Sequence, residues 1–258
     1  MKKILKSLGI CLGVILINQL LISVGFFIMG VANGAYKSFN DPNQYILIVA
    51  LIGDLITIIL THLMFSVYDK KLLSKNLLKK VNLNEAIYIS LLGIGLSVIL
   101  LSITGILTKL IPSYMEVQNQ LQSASNSFLQ IIIVIILIPI CEEIIYRYII
   151  FGHLKKNYNI VCAVIVQALI FGVAHGNIVQ GIYTFILGIA LALIYMYSES
   201  LTGSIILHIV FNLMGVVIIP KLVVISPILS YVTVIVGIVC LIYSLFKIMK
   251  KYEAVLYK

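Results

Sequence analysis

Apolar residues run along this chain in long unbroken stretches, separated by short polar punctuation, with no alternation of period two. A helix needs about 20 such residues to cross a hydrocarbon core of roughly 30 Å. The pattern predicts eight membrane helices, at about 8–32, 45–68, 86–110, 128–151, 160–179, 182–198, 203–219 and 228–246. Between the third and fourth, the stretch from Pro112 to Asn126 holds Glu116, Gln118, Asn119, Gln120 and Gln122, and predicts a short amphipathic helix capping the bundle. Backbone N–H and C=O groups in lipid must be satisfied within their own segment, so the expected fold class is all-α, a polytopic membrane helical bundle. Little chain is left outside the spans, and residues 1–258 read as one membrane-embedded domain.

Composition agrees with that pattern. The chain is 62% hydrophobic and 10% charged, with a mean hydropathy of +1.16, whereas soluble domains lie near 45–50% apolar and 25% charged. Lysine placement gives an orientation. Lys2, Lys3 and Lys6 precede the first span; Lys70, Lys71, Lys75, Lys79 and Lys80 lie between the second and third. Lys155 and Lys156 follow the fourth, and Lys247, Lys250, Lys251 and Lys258 follow the eighth, against only Lys37, Lys109 and Lys221 in the opposite loops. Fourteen of seventeen lysines thus fall on one side, which the positive-inside rule makes cytoplasmic. Both termini are expected there, an arrangement that needs an even number of spans.

The net charge of +9 is therefore a topology signal. Nucleic-acid binding would need the basic residues gathered on one face with aromatic interleaving, and no nucleic-acid partner is expected. The Lys70–Lys80 loop reads as a solvated topogenic loop, with contact to anionic headgroups as the alternative. The lysines and apolar stretch of the N-terminus mimic a signal peptide, ending in Ala32-Asn33-Gly34-Ala35. The apolar part far exceeds a 7–15-residue signal core, so it reads as an uncleaved first span. Cys11, Cys141, Cys162 and Cys240 all lie within spans, show no metal-type spacing and read as packing residues.

Residues 141–147, Cys-Glu-Glu-Ile-Ile-Tyr-Arg, place three full charges inside the fourth apolar run. Each ionisable side chain near a helix centre costs roughly 2.5–3.5 kcal/mol to insert, so such groups persist where they pair or work. At about 100° per residue, Glu143 and Arg147 are i,i+4 neighbours within ion-pair reach. Glu142 is i,i+5 from Arg147 and points from a second face. The economical reading is that Arg147 neutralises Glu143 and Glu142 is left for chemistry. The alternative is a structural pair plus a carboxyl kept neutral by a raised pKa.

Further polar groups lie at membrane depth. The fifth span ends Phe171-Gly-Val-Ala-His175-Gly-Asn177, and the seventh carries His208 and Asn212 one turn apart on one face. A lone membrane histidine is usually an interhelical hydrogen-bonding group. Two histidines and an asparagine on separate helices, with a glutamate on another, are the parts needed to activate water and stabilise an oxyanion. Glu142, His175 and His208 would also serve as three ligands for a zinc ion with water in the open position. Asn18, Gln19 and Gln167 read as interhelical hydrogen-bond partners. Asp54 stands out as a second candidate proton carrier; His62 lies eight positions further on the same span.

Taken in order, Glu142-Glu143-x-x-x-Arg147, Phe171-x-x-x-His175 and His208-x-x-x-Asn212 on successive membrane helices resemble the CPBP family. These are the CAAX proteases and bacteriocin-processing enzymes, including type II CAAX prenyl endopeptidases and bacterial Abi proteins. The resemblance covers residues 128–219, the motif-bearing core. It implies an intramembrane protease in which Glu142 with His175 activates the attacking water and His208 with Asn212 holds the oxyanion. Glu143 and Arg147 would support the site, with Phe171 in the second motif. Tyr148 stands where many members have glycine, which would narrow the cavity. The family is often labelled metalloprotease; the residues alone leave zinc or no cofactor open.

At 1.5 Å per residue, Glu142 would lie about 15 Å from the cytoplasmic end of its span, Asn212 about 14 Å, His208 about 8 Å and His175 about 24 Å. The fifth span must tilt, begin deeper, or face a water-filled cavity. No His-Glu-x-x-His zinc motif is present, and the Gly-x-Ser-Gly nucleophile expected beside a rhomboid-like Ala174-His175 is missing. The abundance of Ile, Lys, Asn and Tyr with a single Arg suggests an AT-rich bacterium and its cell membrane. The expected partners are the lipid bilayer and a membrane-associated peptide or protein substrate, such as a secreted-peptide or bacteriocin precursor. A non-proteolytic immunity or regulatory protein is the alternative, and a transporter using Asp54 and Glu142 as proton carriers a more distant one.

Overall fold

The computed structural model of the chain describes residues 2–36, 43–67, 77–125 and 127–256. Nine helices follow in order among them: α1 (Lys2–Tyr36), α2 (Asn43–Val67), α3 (Leu83–Leu110), α4 (Tyr114–Ala124), α5 (Phe128–Asn157), α6 (Ile160–Ala174), α7 (Ile178–Ser198), α8 (Leu201–Ile225) and α9 (Pro227–Leu256). No strand occurs in these residues. All but α4 and α6 are long and apolar enough to cross a membrane. The chain is therefore an all-α, multi-pass membrane protein. Lys37, Lys70, Lys71, Lys75, Asn126 and Lys258, used in the topology and loop readings above, lie outside the described residues.

The expected fifth span, 160–179, departs most from its reading. Helix α6 stops at Ala174 after 15 residues, about 22 Å of helix. Gly176 adopts a left-handed φ of 70°, a conformation glycine takes without the Cβ penalty. Asn177 then starts α7, its side-chain oxygen accepting from the N–H groups of Val179 and Gln180 at 3.0 and 3.3 Å. Gly-Asn is thus a stop and a start inside one apolar run. Helix α4 takes the place of the expected amphipathic cap, anchored by buried Tyr114, whose ring meets Tyr183 edge-on at 6.3 Å. Burial pushes the Tyr114 hydroxyl above its ordinary range, and a hydrogen bond with Tyr183 acts in the opposite direction.

Three stretches wind in wider i→i+5 turns: Ile133–Leu137 and Glu143–Phe151 in α5, and Leu213–Ile218 in α8. Pro139 and Pro220 follow two of them closely. A proline in a helix lacks its N–H and presses on the carbonyl four residues back; a widened turn ahead of it relieves that clash. No proline accounts for the third, which holds the charged motif.

The chain divides into two compact units, residues 1–75 with 123–167 and residues 76–122 with 168–258, so the boundary falls within α6. In the first, α1 and α2 approach closely at Gly25 and Gly53, where an added Cβ would come within 2.6 Å of Val49 Cγ1 and Ile22 Cγ1. Asn18 of α1 donates to Asp54 Oδ1 at 2.8 Å and to Thr57 Oγ1 at 3.2 Å on α2, all three side chains being buried. Between membrane helices, where apolar contact offers no gain over lipid, such bonds hold the pair together. Gln167, fully buried, donates back to the Val164 carbonyl of its own helix at 3.1 Å.

In the second unit α3 packs against α7, α8 and α9. The segment entering α3 is tied to the α7–α8 turn: the Leu201 N–H donates to the Leu77 carbonyl at 3.1 Å, and the Ser200 hydroxyl to the Lys79 carbonyl at 2.8 Å. Asn82 caps α3 by accepting from the Glu85 N–H at 2.9 Å. Ser200 caps α8 in the same way through the Thr202 N–H at 3.1 Å.

Candidate active site

In the first unit, α5 is regularly α-helical over Ile138–Glu142 and winds in wider turns over Glu143–Phe151. Arg147 Nε lies 3.3 Å from Glu143 Oε2, and both side chains are 0% exposed. The Tyr146 ring stands beside the guanidinium, 6.0 Å from ring centroid to Cζ, a distance that admits a cation–π contribution. The expected ion pair is therefore formed and sealed. Glu142, its neighbour in sequence, is only half-buried. Two adjacent glutamates thus occupy different environments.

The wide turn changes one expectation. In i→i+5 winding, 100° per residue no longer applies over Glu143–Phe151.

In the second unit, Phe171 lies in the last turn of α6 and His175 directly follows its end. His175 Nδ1 lies 2.8 Å from the Phe171 carbonyl oxygen. A carbonyl only accepts, so Nδ1 carries the proton and Nε2 is the accepting nitrogen of the neutral ring. The Phe171 ring is fully buried and meets two imidazoles edge-on, His175 at 4.9 Å and 87° and His208 at 6.0 Å and 88°. Residues from two motifs on α6 and α8 thus share one phenyl ring. His208 is 3% exposed. Asn212, half-buried, is the last residue before α8 widens at Leu213. The Phe211 ring between them in sequence lies tilted at 30° to Tyr183, centroids 6.4 Å apart, and Tyr183 in turn meets Tyr114 of α4.

Glu142, Glu143 and Arg147 are thus brought together in one unit, and Phe171, His175, His208 and Asn212 in the other. Among the described residues no group of three or more His, Cys, Asp or Glu side chains is arranged to hold a metal ion. Cys141 is buried beside Glu142 in sequence. The motif reading missed the α3 residues that touch α8; their signal was Gly93-x-x-x-Ser97, small residues one turn apart in a membrane helix.

Residues 124–214 match the family described as "Type II CAAX prenyl endopeptidase Rce1-like". The matched stretch contains Glu142, Glu143, Arg147, Phe171, His175, His208 and Asn212. The chain is 33% identical over 84 residues to "Putative membrane peptidase YdiL" of Bacillus subtilis (strain 168), an overlap of 33% of this chain and 34% of that protein. The match thus spans about a third of that curated relative's length. No solved structure matches the chain.

Proposed function

We propose that the chain is an intramembrane endopeptidase, a reading supported by the similarity of residues 124–214 to the Rce1-like family and of an 84-residue stretch to "Putative membrane peptidase YdiL". The observation that carries the reading is the contrast between Glu143, sealed against Arg147 at 0% exposure, and the half-buried Glu142 one residue earlier. Arg147 neutralises Glu143 within a closed pair, and the glutamate one residue earlier, not enclosed with them, is the candidate base.

In this reading Glu142 takes a proton from a water molecule as the water oxygen bonds to the carbonyl carbon of the scissile peptide. His175, whose Nε2 is left as the accepting nitrogen by the Nδ1–Phe171 bond, is the second base that the family resemblance assigns to water activation. The carbonyl electron pair moves onto oxygen, where N–H donors of His208 and Asn212 receive the charge. Such donors typically contribute 10²–10³-fold in rate. Collapse of the intermediate breaks the C–N bond, and the proton held on Glu142 passes to the leaving nitrogen. Phe171 keeps the two imidazoles at fixed orientation.

The substrate class is a membrane-associated peptide or protein, and a peptide or bacteriocin precursor fits an AT-rich bacterium. The lysine distribution supports a cell-membrane protein with both termini cytoplasmic and the site opening to that side. The test is peptide release from quenched-fluorescent peptides with an apolar 20-residue segment, comparing wild type with Glu142→Gln. Loss of release in an equally abundant Glu142→Gln protein is expected. Undiminished cleavage by that variant removes Glu142 as the base, and no cleavage by wild type favours the immunity or regulatory reading.

A further inference from the structure

Helix α3 meets α8 at two points, and both fall next to candidate site residues. The Ser97 side chain is 0% exposed. Its hydroxyl lies 3.0 Å from the Phe211 carbonyl of α8 and 2.8 Å from the Gly93 carbonyl one turn back on α3, sharing a single proton between them. Gly93 itself lets α8 come close: a Cβ there would lie 3.2 Å from the Leu207 carbonyl oxygen and 2.9 Å from Val210 Cγ1. Leu207 and Phe211 immediately precede His208 and Asn212. Two α3 positions four residues apart thus bear on the two α8 carbonyls whose peptide bonds lead into the two presumed oxyanion donors.

We propose that Gly93 and Ser97 are positioning residues that set the rotation and depth of His208 and Asn212. The proposal rests on the proteolytic reading for its catalytic meaning, though its geometry does not. Regular winding of α8 ends at Asn212 and widens from Leu213. A wide turn leaves the helix more ways to adjust, so the last regular turn needs an external reference. Ser97 supplies a directional one through its hydrogen bond, and Gly93 a steric one through the absence of a side chain. Both act through the peptide groups of α8 and touch neither imidazole nor amide, so neither takes part in the chemistry. An error of about 1 Å in a reacting group costs up to 10²-fold in rate.

The experiment uses the full-length chain with a quenched-fluorescent peptide bearing an apolar 20-residue segment, and reads kcat and KM separately. Ser97→Ala and Gly93→Ala should each lower kcat per folded molecule about ten-fold with KM within two-fold; the thermal midpoint should stay near wild type in Ser97→Ala and fall in Gly93→Ala, whose added Cβ would press on Val210 and the Leu207 carbonyl. Ser97→Thr, which keeps the hydroxyl, should recover most of the Ser97→Ala loss. The ring ¹⁵N signals of His208 supply a readout independent of activity: they should move in Ser97→Ala and return towards wild type in Ser97→Thr. Unchanged kcat and unchanged His208 signals in both alanine variants overturn the proposal. So does a loss of activity that only tracks loss of folded protein. A wild type that cleaves nothing while the His208 signals still shift would sink the proteolytic reading and leave the positioning role standing.

Discussion

Replacing Arg147 with methionine leaves the Glu143 carboxylate without the cation 3.3 Å away, in a place where neither side chain has any exposure. Removing one partner of a buried pair costs roughly 3–5 kcal/mol, because the remaining charge keeps its desolvation penalty. At about 1.4 kcal/mol per factor of ten, the folded-to-unfolded ratio falls by two to nearly four orders of magnitude. A typical domain has roughly 5–15 kcal/mol in hand, so the variant should accumulate poorly and lose its thermal transition at much lower temperature. Removing both charges is different. Glu143→Gln with Arg147→Met should lie close to wild type, since a buried pair exchanged for neutral groups of similar volume is often neutral. The assay is the fraction of detergent-extracted chain that stays soluble after a heating series, read for wild type, both single variants and the double. A coupling of more than about 2 kcal/mol is expected from the cycle. A single Arg147→Met protein as heat-resistant as wild type, or a double variant no better than the single, would refute the sealed-pair reasoning.

Treatment of the purified chain with a strong chelator should leave most peptide release intact; a loss that zinc alone restores, with about one zinc per chain by elemental analysis, would recast Glu142 as a ligand. Reporter fusions after Lys80 and after Lys258 should read cytoplasmic and one after Asn43 should not, and any other pattern breaks the orientation drawn from the lysines. Phe171→Ala should destabilise by about 3–5 kcal/mol and should also lower release per folded molecule, because two imidazoles lose their common support; a purely proportional loss of folded protein and activity would deny it that second role.

The bundle was legible because span length is an unambiguous signal: the apolar runs could be little else in a chain this poor in charge. The Glu143–Arg147 pair was legible too, since four residues of separation keep the groups within reach even when the turn widens. The turn itself was not. Its hydrogen bonding answers to neighbouring helices, and the prolines at 139 and 220 marked only the other two wide stretches. The end of α6 was missed where Gly176-Asn177 interrupts an otherwise apolar run. The meeting of His175 and His208 on one phenyl ring joins motifs more than thirty residues apart, and no local pattern encodes it.

Helix α6, at 15 residues, sets a thickness. Its length of about 22 Å falls short of a hydrocarbon core near 30 Å, so lipid that closed over both its ends would have to yield, at fractions of a kcal/mol for every ångström. Short-chain lipids gather most cheaply around such a helix, and a longer-chain bilayer must deform to meet it. The acyl length of the host membrane then becomes a parameter of this protein, acting on the helix whose last turn holds Phe171 and leads into His175.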